Sequence, residues 1–205
     1  MPNLNSPFGL RPSRHKNGAP YNGAVNPYYI PSSYGTALYV GDPVIITGTS
    51  NTAEVTAAGY GKFGPGTLPE INKATAAGGA YISGVIVGFA PLPTDLGKQY
   101  NAASTERVAL VCDDPDVLFE VQEDIGGTAL AAVSVGLNVD MIFTNAGSTV
   151  TGMSGVEIDR STAATTNTLQ FKIMRLVNRV DNEIGDYAKW LVMANLHTQR
   201  DLTGR

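Results

Sequence analysis

The residues predict an all-β protein, an antiparallel β-barrel or sandwich of the jelly-roll or tulip-like kind, with an extended Pro-rich N-terminal arm and at most one short helix. Three observations carry this expectation. Short runs alternate apolar and polar residues with a period of two, the pattern of strands with one buried face. Turn-forming residues separate them, with 23 glycines and 12 prolines among 205 residues. Charged residues make up only 16% against 43% hydrophobic ones, well below the roughly 25% charge of an average soluble domain. A chain of this length can bury a self-sufficient core, and the expected division is an arm, residues 1–37, followed by a single β domain, residues 38–205.

The arm holds Pro2, Pro7, Pro12, Pro20, Pro27 and Pro31. Proline removes amide donors and pushes its predecessor toward extended geometry, so neither helix nor ladder is expected to run through the segment. Phe8, Tyr21, Tyr28, Tyr29 and Tyr34 are too many large rings for a segment meant to stay in water. Arg11, Arg14 and Lys16 are its formal charges, about +3, which leaves −7 for the remainder of a chain of net charge −4. The arm therefore either wraps its own domain or a sister subunit, or is ordered by lying on a different protein.

Residues 38–47, LYVGDPVIIT, form the first strand signal, broken by Gly41-Asp42-Pro43. Residues 48–80 read as loops. Residues 81–90, YISGVIVGFA, read as a strand closed by Pro91 and Pro93. The central feature is residues 107–124, RVALVCDDPDVLFEVQED, read as a tight hairpin. Val108, Leu110 and Cys112 alternate along its first arm and Val117, Phe119 and Val121 along its second, with Asp113, Asp114, Pro115 and Asp116 as the turn. Residues 128–135 read as one or two turns of helix ended by Gly136 or as a strand, with the short helix favoured. Residues 139–144 form a strand, and VGDPV at 40–44 is faintly repeated by VGLNV at 135–139. Residues 145–167 read as loops with one short strand. Residues 168–177 alternate as a half-buried strand, residues 189–197 form a last one, and residues 198–205 are expected to fray.

No catalytic constellation emerges. GYGKFG at 59–64 spells G-x-G-x-x-G, but Pro65-Gly66 follows where a phosphate-binding helix would have to begin. His15 and His197 are expected at the surface or rim, and with Cys112 as the single cysteine they make no ordinary zinc site. Cys112 reads as a small buried hydrophobe. The acids at 113, 114 and 116 match no calcium-loop spacing and are better explained as turn formers. Ser154 lies outside any G-x-S-x-G pattern. The expectation is no enzyme, no cofactor and no metal. No run approaches the ~20 apolar residues of a membrane span, and the acidic balance argues against an obligate nucleic-acid binder, so neither partner is expected.

NSPFGLRPSRHKNGAPYNG near the start, YYIPSSYGTALYVGDPV, VLFEVQED, and LQFKIMRLVNRVDNEIGDYAKWLVMANLH near the end resemble the capsid decoration, or cement, proteins among the small virion proteins of tailed bacteriophages. The resemblance implies a non-enzymatic protein on the outer surface of the capsid, made in the host cytoplasm. It further implies a major capsid protein as partner and a symmetric homo-oligomer, trimer favoured and dimer possible. An alternative is a phage tail or receptor-binding structural component. Phe8, Arg11, Arg14, Lys16, Tyr21, Tyr28, Tyr29 and Tyr34 are the candidate capsid or subunit contacts. Removing residues 2–37 is expected to leave the body folded and to weaken assembly.

Overall fold

The computed structural model describes residues 3–200. In chain order the strands are β1 (Arg11–His15), β2 (Asn26–Ile30), β3 (Pro43–Ser50), β4 (Val55–Ala57), β5 (Gly61–Phe63), β6 (Pro69–Lys73) and β7 (Gly84–Phe89). They continue with β8 (Arg107–Cys112), β9 (Val117–Gln122), β10 (Asn138–Ile142), β11 (Glu157–Ala164), β12 (Phe171–Leu176) and β13 (Lys189–Ala194). The all-β expectation holds. β2, β6, β3, β7 and β8 close a barrel, β1-β9-β13-β12-β10-β11 form a six-stranded sheet, and β4 and β5 make a small hairpin. Among the described residues no helix is long and apolar enough to cross a membrane.

The arm is not an arm. β1 pairs antiparallel with β9, and β2 is a stave of the barrel, antiparallel to β8 from Asn26↔Val111 to Ile30↔Arg107. The prolines permit this because of where they fall. Pro12 lies on β1, an edge strand of the six-stranded sheet, where a missing donor is tolerated. Pro27 lies ahead of Tyr29, the residue at which β2 reaches β6. Leu10, Tyr28 and Ile30 are buried in the body. Where the segment crosses the entrance to β3, the Leu10 amide donates to the Gly41 carbonyl. Gly41 sits at φ +93° with the Phe8 carbonyl oxygen 2.7 Å from where a Cβ would stand, so the crossing needs a glycine.

The central hairpin is also corrected. β8 pairs with β7 and β2 in the barrel, whereas β9 pairs with β13 and β1 in the sheet. The connection between them is a corner at which the chain changes sheets. β8 is consequently covered on both sides. Ala109 and Val111 join Ile30, Val44, Ile71 and Ile86 inside the barrel, while Cys112 faces the larger core with Phe119, Val121, Phe171, Ile173, Trp190 and Val192. Burial pushes the Cys112 thiol up to about 11, as expected of a packed, unreactive sulfur.

Other readings shift locally. Residues 48–80 contain β4, β5 and β6, and the GYGKFG glycines belong to the β4–β5 hairpin. Within 128–135 the helix shrinks to one 3-10 turn, Ala132–Ser134. Gly41 and Gly136, the shared glycines of the faint repeat, both take positive φ just before a strand, so the likeness is a repeated turn. Residues 198–200 are held, with the Thr198 amide on the Ile82 carbonyl and Arg200 on the Ala194 and Pro115 carbonyls. Residues 201–205 lie outside the described residues.

Candidate interaction face

In an antiparallel sheet, residues directly opposite one another point to the same side. Register therefore shows what shares a face. The inner side of the six-stranded sheet carries the core. On its outer side one row runs Arg14, Leu118, Met193, Lys172 and the next runs Arg11, Glu120, Leu191, Arg175, across β1, β9, β13 and β12. Both rows depend on bulges, one between Pro12 and Arg14 and one between Ile173 and Arg175. Strict alternation would put Arg11 and Arg14 on opposite sides, and likewise Lys172 and Arg175. One extra residue in each strand re-aims the second cation outward.

The apolar members of these rows are already covered. Leu118, Leu191 and Met193 are buried despite facing away from the core, and Arg14 and Arg175 share the hollows that Leu118 and Leu191 line. The Arg200 guanidinium reaches the Met193 sulfur at 3.9 Å. Glu120 is held by Arg11 at 2.7 Å and Arg179 at 2.8 Å, and Arg179 also forks onto Asp181. Arg11, Arg179 and Arg200, the last paired with Asp116, are thus neutralised in place. Arg14, Lys16, Lys172 and Arg175 have no carboxylate partner among the described residues. Arg14 and Arg175 line two adjoining surface hollows, of about 350 and 310 Å³, floored by Leu118, Met174 and Leu191. Lys16 borders the larger one.

The expected contact residues therefore divide. Arg11, Arg14 and Lys16 reach this face, with Arg11 occupied by Glu120. The aromatic ones turn to the protein itself. Tyr21 donates to the Ala24 carbonyl, Tyr28 to Asp113 and Tyr29 to Glu106, while the Tyr34 hydroxyl accepts from the Lys73 amide. Phe8 is half-buried beneath the Arg11 guanidinium. Their size serves internal packing, which is why they sit in a proline-rich stretch that looks unstructured in isolation. The residues that sequence reasoning does not find are Lys172, which alternation places only on the solvent side of its strand, and Arg175, which alternation places on the buried side and the bulge turns outward.

The turn acids diverge. Asp113 accepts from Asn26 and Tyr28, Asp114 lies 3.1 Å from His15, and Asp116 meets Arg200. Asp113 and Asp114 tie the corner to the N-terminal segment, and Asp116 ties it to the far end of the chain. Among the described residues no three His, Cys, Asp or Glu side chains gather closely enough to hold a metal ion. Ser154 is buried and donates to Asp42 at 2.7 Å, and Asp42 also meets Lys73.

His197 overturns its reading as a rim residue. It is 2% exposed, its Nδ1 accepts from the Gln199 amide, and burial holds it down to about 4. Glu123, fully buried, is pushed up to about 7 by desolvation. The two bend stability in opposite directions. Glu123 binds its proton more tightly when folded, so its contribution is present below its ordinary 4.5 and lost as pH rises through about 7. His197 binds its proton less tightly when folded, so its contribution is present above 6.5 and lost as pH falls through about 4. Each displacement corresponds to about 3 kcal/mol. Glu157 and Asp140, raised by burial, lean with Glu123. Thermal midpoints between pH 4.5 and 6.5 should fall with acidification in Glu123→Gln and rise in His197→Gln. Parallel slopes in the two variants would refute the opposition.

No family model, no curated protein and no solved structure matches this chain.

Proposed function

We propose that this chain is a non-enzymatic virion protein, a capsid decoration protein of the tailed-phage kind, which holds to the outside of the major capsid shell as a symmetric homo-oligomer, trimer favoured. The observation that carries the reading is the placement of Arg14, Lys16, Lys172 and Arg175, none ion-paired among the described residues, on one sheet face of an acidic chain. The resemblance of the opening and closing segments supports the virion assignment. Adhesion works through this face and not through a free arm. Single exposed ion pairs contribute about 0–1 kcal/mol, so a lone copy binds weakly. Copies linked in an oligomer and repeated over a lattice bind by avidity.

The test uses shells stripped of the protein. Purified protein should saturate regular sites on the facets and raise the temperature at which shells rupture. Binding should weaken as salt rises, because Arg14, Lys16 and Arg175 are solvent-exposed. Absence of saturable binding to the facets would reject the reading, and binding confined to tails would favour a tail component.

A further inference from the structure

The two hollows on the outer sheet face have a chemistry more specific than positive charge. Arg14 comes from β1 and Arg175 from β12, with β9 and β13 between them and one row apart along the strands, so their backbones stand about 16 Å apart at the usual strand spacing and rise. Both side chains border both hollows, over aliphatic Leu118, Met174 and Leu191. A guanidinium on each side of an apolar floor suits a planar two-oxygen anion carried on an aliphatic stem. Lys172 closes the Arg14 row and Lys16 the near rim.

We infer that Arg14 and Arg175 form a seat for the carboxylate of an acidic protein segment, in which a Glu or Asp is set among aliphatic residues. This rests on the adhesion reading and names the partner chemistry of its site. Nucleic acid fits less well. Among the described residues the only ring bordering these hollows is His15, and it is held 3.1 Å from the Asp114 carboxylate and not offered as a free platform for a base. Glu120 stands between the two arginines' strands and has already taken Arg11 and Arg179, which interrupts any continuous track of cations for phosphates. The chain's overall net charge of −4 also disfavours a polyanion held by long-range attraction.

The test titrates full-length protein with a labelled 16-residue peptide rich in Glu with interspersed Leu, and with single-stranded DNA of the same length. Peptide binding should saturate and be tighter than DNA binding. Arg14→Ala/Arg175→Ala, altering two exposed residues, should weaken it at least ~10-fold. Lys62→Ala, which removes a distant cation paired with Glu54, should leave it unchanged. Equal peptide affinity in the double variant, equal loss in Lys62→Ala, or tighter binding of DNA would overturn the seat. Stripped shells separate the two proposals. A double variant that coats shells as well as the parent would sink the seat and leave the adhesion reading standing. A parent that ignores shells, with peptide binding that still needs both arginines, would sink the adhesion reading and support the seat.

Discussion

A chain beginning at residue 38 is expected not to fold. Its deletion removes β2, one of five strands closing the barrel, and β1, which covers the edge of β9. Ile30, Tyr28 and Leu10 leave the cores with them. Emptying a single buried site of that size costs about 2–5 kcal/mol, against a total stability of about 5–15 kcal/mol for a typical domain. The deletion also bares the β6, β8 and β9 edges, whose unpaired amides and carbonyls invite aggregation. The truncated chain should be insoluble or lack a cooperative melt by circular dichroism, and a peptide spanning residues 9–34 supplied in trans should restore one. A soluble 38–205 chain with a sharp transition would show that the segment is dispensable. This reverses the expectation drawn from composition, under which the same deletion spared the body.

Arg160→Ala should cost about 3–5 kcal/mol, the range for stripping the partner from a buried charge. The guanidinium is 5% exposed. It donates to the carbonyls of Ile125, Gly126 and Gly127, to Asp186 at 2.7 Å and to Glu123 at 3.3 Å. Glu123 in turn accepts from the Trp190 indole and the Leu130 amide. Without Arg160 three carbonyls lose a donor and a buried carboxylate loses its cation. Glu123 should then hold its proton to still higher pH, so the loss measured by urea denaturation should be larger at pH 8 than at pH 5. Adding Glu123→Gln should recover part of it, a non-additivity expected of residues in one network. A loss below about 1 kcal/mol at pH 8 would remove this network from the account of stability.

Much of the β content was legible because alternation is local. Phe119, Val121, Trp190 and Val192 face the core as their spacing predicts, since neighbouring strand residues must point oppositely whatever they pair with. β6 and the β4–β5 hairpin were harder to read because their few apolar residues lie among glycines and prolines. Two of the errors share a cause. Pro12 and Pro27 argue against a ladder and the Asp-Pro turn argues for a hairpin, yet whether a donor is needed or a turn folds strands together depends on the neighbouring strand.

The face had the same limit. Arg11 and Arg14 are near each other in the chain and so stand out in its sequence, but Lys172 and Arg175 join them only through β9 and β13. Bulges bring the second member of each pair to the outer side, and a bulge is a mismatch between two strands that neither carries alone.

By itself, then, the order of residues determined that the chain is β throughout, where most strands lie and which side chains seek a core. Tertiary structure alone decided that β8 and β9 part company, that the N-terminal segment is woven into both sheets, and that Arg14, Lys16, Lys172 and Arg175 share one face without an ion-pair partner among the described residues. The division is physical: preference for an extended backbone and a buried face is set within a few residues, whereas partner and register are chosen by whichever long-range packing buries the most apolar surface with every donor satisfied.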